Sequence, residues 1–121
     1  MTQLSHDHSF VGSQRRKGAM NEREARSDPR RSALHQALGA GNQFIEPQLG
    51  AVGHRPGDRF IICSDGVVDG LWDRELQEIA RSAPGDSGDS LAKRLVTTAV
   101  QNSGRDNTTA IVVEVLPPKN P

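Results

Sequence analysis

Aromatic side chains are scarce in this chain: one Trp, three Phe and no Tyr among 121 residues. The core must therefore be aliphatic. There is a single cysteine, Cys63, which excludes an internal disulfide and is compatible with a reducing cytosol. No apolar stretch approaches the length of a membrane span or a signal-peptide core. Net charge is also lacking, because 15 basic and 15 acidic residues cancel. No global field would then attract nucleic acid or an anionic membrane surface. These absences leave one soluble, cytoplasmic domain as the expectation, with no nucleic-acid or membrane partner and little margin in its core.

What is present is unevenly distributed. Arg15 to Arg31 is dense in charge, poor in large apolar side chains, and reads as an exposed, mostly helical insert. Asn21 to Arg26 places acidic residues early and an arginine late, which suits a short helix. Asp28-Pro29 stops it, since a residue before proline is disfavoured in the helical region. Ser32 to Leu38 predicts a further helical turn, closed by Gly39-Ala40-Gly41. Strands are expected over Gln48 to Val52 and Arg59 to Cys63, separated by a tight turn at Arg55-Pro56-Gly57-Asp58. Val67, Val68, Leu71 and Trp72 begin a partly helical segment. Asp73 can cap a helix over Arg74 to Arg81, with Leu76, Ile79 and Ala80 facing inward. After a flexible linker at Pro84-Gly85-Asp86-Ser87-Gly88, Leu91, Ala92, Leu95, Val96, Ala99 and Val100 recur at helical spacing. Asp89 or Ser90 caps that helix, and Asn102-Ser103-Gly104 closes it. A last strand runs from Asn107 to Val115 and ends at Leu116, before a frayed tail over 117–121. Strands and helices are interleaved and the two best strands run antiparallel, so the fold class is α+β.

Two short motifs carry the chemistry. Cys63-Ser64-Asp65-Gly66 ends one β-branched run and Gly104-Arg105-Asp106-Asn107 begins another. If the strands are antiparallel, Asp65 and Asp106 share a sheet edge although they lie far apart in sequence. Convergent carboxylates at a strand edge are the raw material of a hard-cation site. Asp69 follows Asp65 by four residues, so a helical turn would set both on one face. Asp7, between His6 and His8, is a further carboxylate. Like charges gather where a cation compensates them, and oxygen ligands favour Mg²⁺ or Mn²⁺ over zinc. Plainer readings stand beside this one. Asp-Gly is a favoured hairpin turn, and Asp106-Asn107 suits an ordinary loop. The apolar flanking strands argue against full exposure of the carboxylates. His6 and His8, at alternate strand positions, are candidate ligands with nothing nearby to complete a zinc set. Cys63, within an apolar run, reads as a small core residue rather than a nucleophile. Trp72 reads as packing. Arg15-Arg16-Lys17 reads as a solvated face, with phosphopeptide contact as the sharper alternative.

In order, Gln3-Leu4-Ser5-His6-Asp7-His8-Ser9, Asp28-Pro29-Arg30-Arg31 with Leu34-His35-Gln36-Ala37-Leu38-Gly39, Pro56 through Asp69, and Gly104-Arg105-Asp106-Asn107-Thr108-Thr109 resemble the protein phosphatase 2C family of metal-dependent Ser/Thr phosphatases, in bacterial form. The resemblance implies a four-layer α/β/β/α sandwich with a bimetal centre, of which residues 1–116 would form part. It matches Asp65 and Asp106 to two aspartates of one catalytic metal, and Asp7 and Asp69 to carboxylates of a third, weaker one. Residues 12–31 fall where the family carries its flap. The implied cofactor is Mg²⁺ or Mn²⁺, which polarises phosphate and activates a water. The implied partners are phosphorylated Ser/Thr proteins and a Ser/Thr kinase.

Departures from the family are equally specific. Its early phosphate-gripping arginine, its Asn-Glu-Asp group and its Asp-Gly-x-Gly-Gly motif do not occur here, and His35-Gln36 stands where Thr-Arg is frequent. The chain therefore looks like the C-terminal half of such an enzyme, its Met1 an internal methionine or the start of a truncated gene. Three expectations follow. The site should be incomplete with no catalytic residue assigned, the sheet should have one uncovered face, and turnover of para-nitrophenyl phosphate should be very low. The rival readings are a non-catalytic module that engages a phosphoprotein or a complementary chain, and a plain α+β domain with coincidental Asp-Gly turns.

Overall fold

A computed structural model describes residues 1–39, 41, 45–82 and 88–118. The chain divides into two compact units, Met1–Ala51 and Val52–Pro121.

In the first unit, helix α1 spans Phe10–Arg16 and helix α2 spans Glu22–Ser27. Ser9 caps α1, its Oγ accepting from the Gly12 N–H at 3.0 Å. The expected helix over Asn21 to Arg26 is present as α2. It opens with a full capping box, in which Asn21 Oδ1 accepts from the Glu24 N–H and the Glu24 carboxylate accepts from the Asn21 N–H. It ends as expected at Asp28, which is extended ahead of Pro29. Helix α1 itself was not expected, because its small and polar residues show no strong apolar period. The helical turn over Ser32 to Leu38 does not form. Asp28 Oδ1 instead accepts from the Arg30 N–H at 2.7 Å, and Ser9 pairs with Leu34 in a short antiparallel bridge that engages the 33–35 backbone. The strand expected over Gln48 to Val52 does not form, and these residues are irregular. Buried Val11 and Ala25 form the small core of this unit.

In the second unit, strands β1, Arg59–Cys63, and β2, Ala110–Glu114, pair antiparallel, with Ile61 opposite Val112 and Ile62 opposite Ile111. The turn before β1 forms as expected. Pro56 precedes Gly57 at φ 93°, the order a type II turn requires. Helices α3, Asp65–Gly70, α4, Asp73–Arg81, and α5, Leu91–Asn102, follow β1 and precede β2. Their apolar faces meet in a core of Val67, Leu71, Leu76, Leu95 and Ala99, against which Ile61, Ala110 and Val112 of the sheet pack. Full burial of side chains such as Val67, Leu71 and Leu95 stabilises by roughly 1.5–3 kcal/mol each. Glycine sets the closest helix approach. A Cβ on Gly70 would collide with the backbone of Ala99, 2.6 Å from its Cα, and Asn102 Nδ2 donates to the Gly70 carbonyl at 2.9 Å.

Alternation along the strands leaves the other sheet face open. Ile62, Ile111 and Val113 are 62%, 56% and 48% exposed, as expected of an uncovered face. Four expectations fail in this unit. Cys63 is exposed at the end of β1 rather than in the core. Trp72 is exposed, because it immediately precedes α4 and lies off that helix's buried face. Helix α4 begins at Asp73 itself, where the Glu75 carboxylate accepts from the Trp72 N–H. Strand β2 is shorter than Asn107 to Val115, since side chains rather than a strand ladder engage most of 107–109. The linker expected at 84–88 lies outside the described residues except for Gly88, and the tail except for 117–118. No helix among the described residues is long and apolar enough to cross a membrane.

Candidate metal centre

Asp65 is the first residue of α3, so Asp65-Gly66 opens a helix and is not a hairpin turn. Asp69 lies four residues on in the same helix, which sets both carboxylates on one side of it. Both are exposed, as are Asp106 and Asp7, so the apolar strands do not shelter the carboxylates as expected. Asp65 lies two positions beyond the end of β1 and Asp106 four positions before the start of β2.

Ser64 joins the two motifs. Its Oγ donates to the Asn107 carbonyl at 3.1 Å and accepts from the Thr109 N–H at 3.0 Å, while its own N–H donates to the Thr109 carbonyl at 3.0 Å. Gly66 lies on the other side of Asp65. A Cβ there would stand 2.5 Å from Asn107 O and 2.8 Å from Thr108 Oγ1. Both neighbours of Asp65 thus touch the residues that follow Asp106, and the backbones of the two motifs converge as the antiparallel strands require. Thr108 Oγ1 donates to the Asp106 carbonyl at 3.0 Å and steadies that turn. Sequence reasoning found the aspartates but missed Ser64, Gly66 and Thr108 as the parts that join them. The signal was a small hydroxyl residue and a glycine bracketing Asp65.

Asp7 belongs to the first unit. Its Oδ1 accepts from the Ser9 N–H and its Oδ2 from the Ser9 hydroxyl, both at 2.8 Å. Gly12 packs on it so closely that a Cβ would lie 2.7 Å from the Asp7 Cβ. His6 and His8 do not lie on a strand, and the His8 carbonyl accepts from the His35 N–H. Among the described residues, no group of three or more His, Cys, Asp or Glu side chains is arranged to hold a metal ion. The donors of Asp65, Asp69 and Asp106 are all carboxylate oxygens, which fits Mg²⁺ or Mn²⁺ in kind and only in part in number. Among the described residues, a groove of about 510 Å³ elsewhere in the second unit is lined by Arg59, Arg94, Asp89 and Glu114 and by none of these carboxylates.

The two-stranded antiparallel sheet backed by helices matches solved structures of PPM phosphatases. The chain superposes with a TM-score of 0.77 on a crystal structure of the PPM Ser-Thr phosphatase MsPP from Mycobacterium smegmatis, at 36% identity over 95% of this chain and 48% of that one. It matches the catalytic domain of the serine/threonine phosphatase PstP, solved with two manganese ions, at a TM-score of 0.75 and 29% identity over 96% of this chain and 46% of that one. In sequence it is 34% identical over 122 residues to the serine/threonine protein phosphatase PstP of Mycobacterium tuberculosis, covering 96% of this chain and 22% of that protein. No protein-family model matches the chain. Its homologues are PP2C-type serine/threonine phosphatases, and the chain is homologous to them along nearly its whole length. It spans less than half of each of these three relatives.

Proposed function

We propose that this chain is the metal-binding part of a phosphoprotein phosphatase that acts on phosphoserine and phosphothreonine in the cytoplasm, opposite a Ser/Thr kinase. The observation that carries the reading is the Ser64 and Gly66 junction, which brings Asp65 beside the Asp106 turn. Asp65 and Asp106 would hold one divalent ion, with Asp69 as an adjacent acceptor on α3. Asp7 is retained as a ligand on the family resemblance alone. When bound, Mg²⁺ or Mn²⁺ would supply Lewis acidity and an activated water. The chain's own contribution is to hold the two carboxylates at fixed separation through Ser64. With this partial ligand set, turnover by the 121 residues alone should be very low.

Calorimetric titration with Mn²⁺ tests the assignment. Weak binding by the chain, abolished in both Asp65→Ala and Asp106→Ala, is expected. Heat that persists in both variants, or no heat at millimolar Mn²⁺ with the parent chain, refutes it. Brisk Mn²⁺-dependent hydrolysis of para-nitrophenyl phosphate that Asp65→Ala abolishes would refute the partial site.

The exposed Ile62, Ile111 and Val113 favour a second reading, a module that engages a complementary chain across this sheet face. A solution that stays monomeric at high concentration counts against it.

A further inference from the structure

Asp7 is held more firmly than its place in the chain explains. Residues 1–8 lie in neither helix nor strand, and all but His8 are exposed. No sheet ladder orders them, so their backbone groups take other partners. Two side chains from outside the segment supply these. Gln48 engages it with both ends of its amide. Its Oε1 accepts from the His6 N–H, and its Nε2 donates to the Leu4 carbonyl at 2.8 Å. Arg16, the last residue of α1, donates from Nη1 to the Asp7 carbonyl at 2.7 Å. The main chain is therefore pinned on both sides of the Asp7 side chain.

The carboxylate is fixed as well. Ser9 donates to it twice, from its N–H to Oδ1 and from its hydroxyl to Oδ2, both at 2.8 Å. Gly12 packs against it so tightly that a Cβ there would lie 2.8 Å from Oδ2. A carboxylate oxygen accepts through more than one lone pair, so these contacts orient the group without exhausting its acceptors. Capping of α1 does not account for Gln48. Ser9 caps that helix, whereas the Gln48 bonds fall on Leu4 and His6, ahead of it. Gln48 is itself tied down, because the nearby Glu46 N–H donates to Gln36 Oε1 at 2.7 Å. Every one of these contacts lies within the first unit.

We propose that Gln48 and Arg16 are positioning residues that hold the Asp7 carboxylate ready for a divalent cation. This rests on the phosphatase reading, in which Asp7 is a metal ligand, and deepens it by assigning that ligand its support. An exposed side chain on an irregular segment loses conformational freedom when it binds. A ligand preset by outer contacts has already lost most of it, so affinity rises without any new bond to the cation.

Titration of the 121-residue chain with Mg²⁺, followed through amide chemical shifts, decides it. The Ser9 N–H bonds Asp7 directly and reports on that carboxylate. The Asn107 N–H bonds Asp106 Oδ1 at 2.7 Å and reports on the other motif. Both signals should shift in the parent chain. Gln48→Ala and Arg16→Ala should each raise the Mg²⁺ concentration for a half-maximal Ser9 shift by about tenfold, as loss of an outer contact to a ligand does. The Asn107 response should be unchanged in both. Gln48→Glu keeps an acceptor for the His6 N–H and loses the donor to Leu4, so it should fall between parent and Gln48→Ala. Asp7→Asn should abolish the Ser9 shift. Slow exchange of the Glu24 N–H, capped by Asn21 in α2, checks that the unit remains folded. If Gln48→Ala loses that protection, Gln48→Glu decides in its place. Parental Mg²⁺ affinity at Ser9 in the folded Gln48 and Arg16 variants overturns the proposal, even if the 4–7 amides exchange faster, since that would be a structural role alone. A Ser9 shift that persists in Asp7→Asn also overturns it. A silent Ser9 beside a responsive Asn107 overturns it and leaves the phosphatase reading standing. A silent Asn107 with the expected Ser9 pattern supports the positioning and counts against the phosphatase reading.

Discussion

Replacing Gly66 by alanine tests the junction on which the site depends. Gly66 is buried as the second residue of α3. Its new Cβ would lie 2.5 Å from Asn107 O, 2.8 Å from Thr108 Oγ1 and 3.1 Å from Asn107 C. Optimal carbon contacts lie near 3.5 Å, so the start of α3 and the 107–108 turn must separate by on the order of 1 Å. The Thr108 hydroxyl can rotate away, but the Asn107 carbonyl is held by Ser64 Oγ at 3.1 Å. Overpacking of this kind costs about 1–3 kcal/mol, and the helix propensity of alanine returns at most about 1 kcal/mol. A net loss of about 1–2 kcal/mol is expected. With a urea dependence of about 1 kcal/mol/M, the unfolding midpoint falls by about 1–2 M. Gly53 has nothing within 4 Å of a new Cβ, so Gly53→Ala should leave the midpoint unchanged or slightly raised. Because the collision is beside Asp65, Mn²⁺ binding should weaken in Gly66→Ala even where the protein remains folded. An unchanged midpoint in Gly66→Ala would refute the reasoning.

Asn21→Ala removes one half of the α2 capping box and should cost about 1 kcal/mol, seen as faster amide exchange at Glu24 with the second unit unaffected. Partial desolvation pushes the exposed Cys63 thiol above its ordinary value of 9.0. Iodoacetamide should therefore alkylate it more slowly than a free thiol at pH about 8.5, and an equal or faster rate contradicts the assignment. The sign for stability follows from the folded state binding this proton more tightly. The contribution is complete below the ordinary value and is lost as pH rises from there through the raised one. Ile62→Lys places a charge on the uncovered sheet face and should suppress light scattering at high concentration with little loss of stability. Unchanged scattering would mean that this face does not drive association.

Local and periodic features were determined by the sequence alone. Arg59 to Cys63 could be read as a strand from its β-branched run, and the α5 helix from its three-and-four apolar spacing. The α2 helix and the turn at Gly57 were equally readable, because each is set by residues within a few positions of one another. The aspartates, too, stood out in sequence. Tertiary structure decided everything that depends on contacts between distant residues. The pairing of Ser9 with Leu34 drew 33–35 into a bridge rather than a helix, and the strand register left Cys63 exposed at a sheet end. Ser64 and Gly66 became the junction of the site only when the second strand arrived from more than forty residues away. Four aspartates could be counted from sequence, but the exposure of each and the convergence of Asp65 on the Asp106 turn arise from packing. A short sequence window contains neither the opposing backbone nor the solvent it excludes.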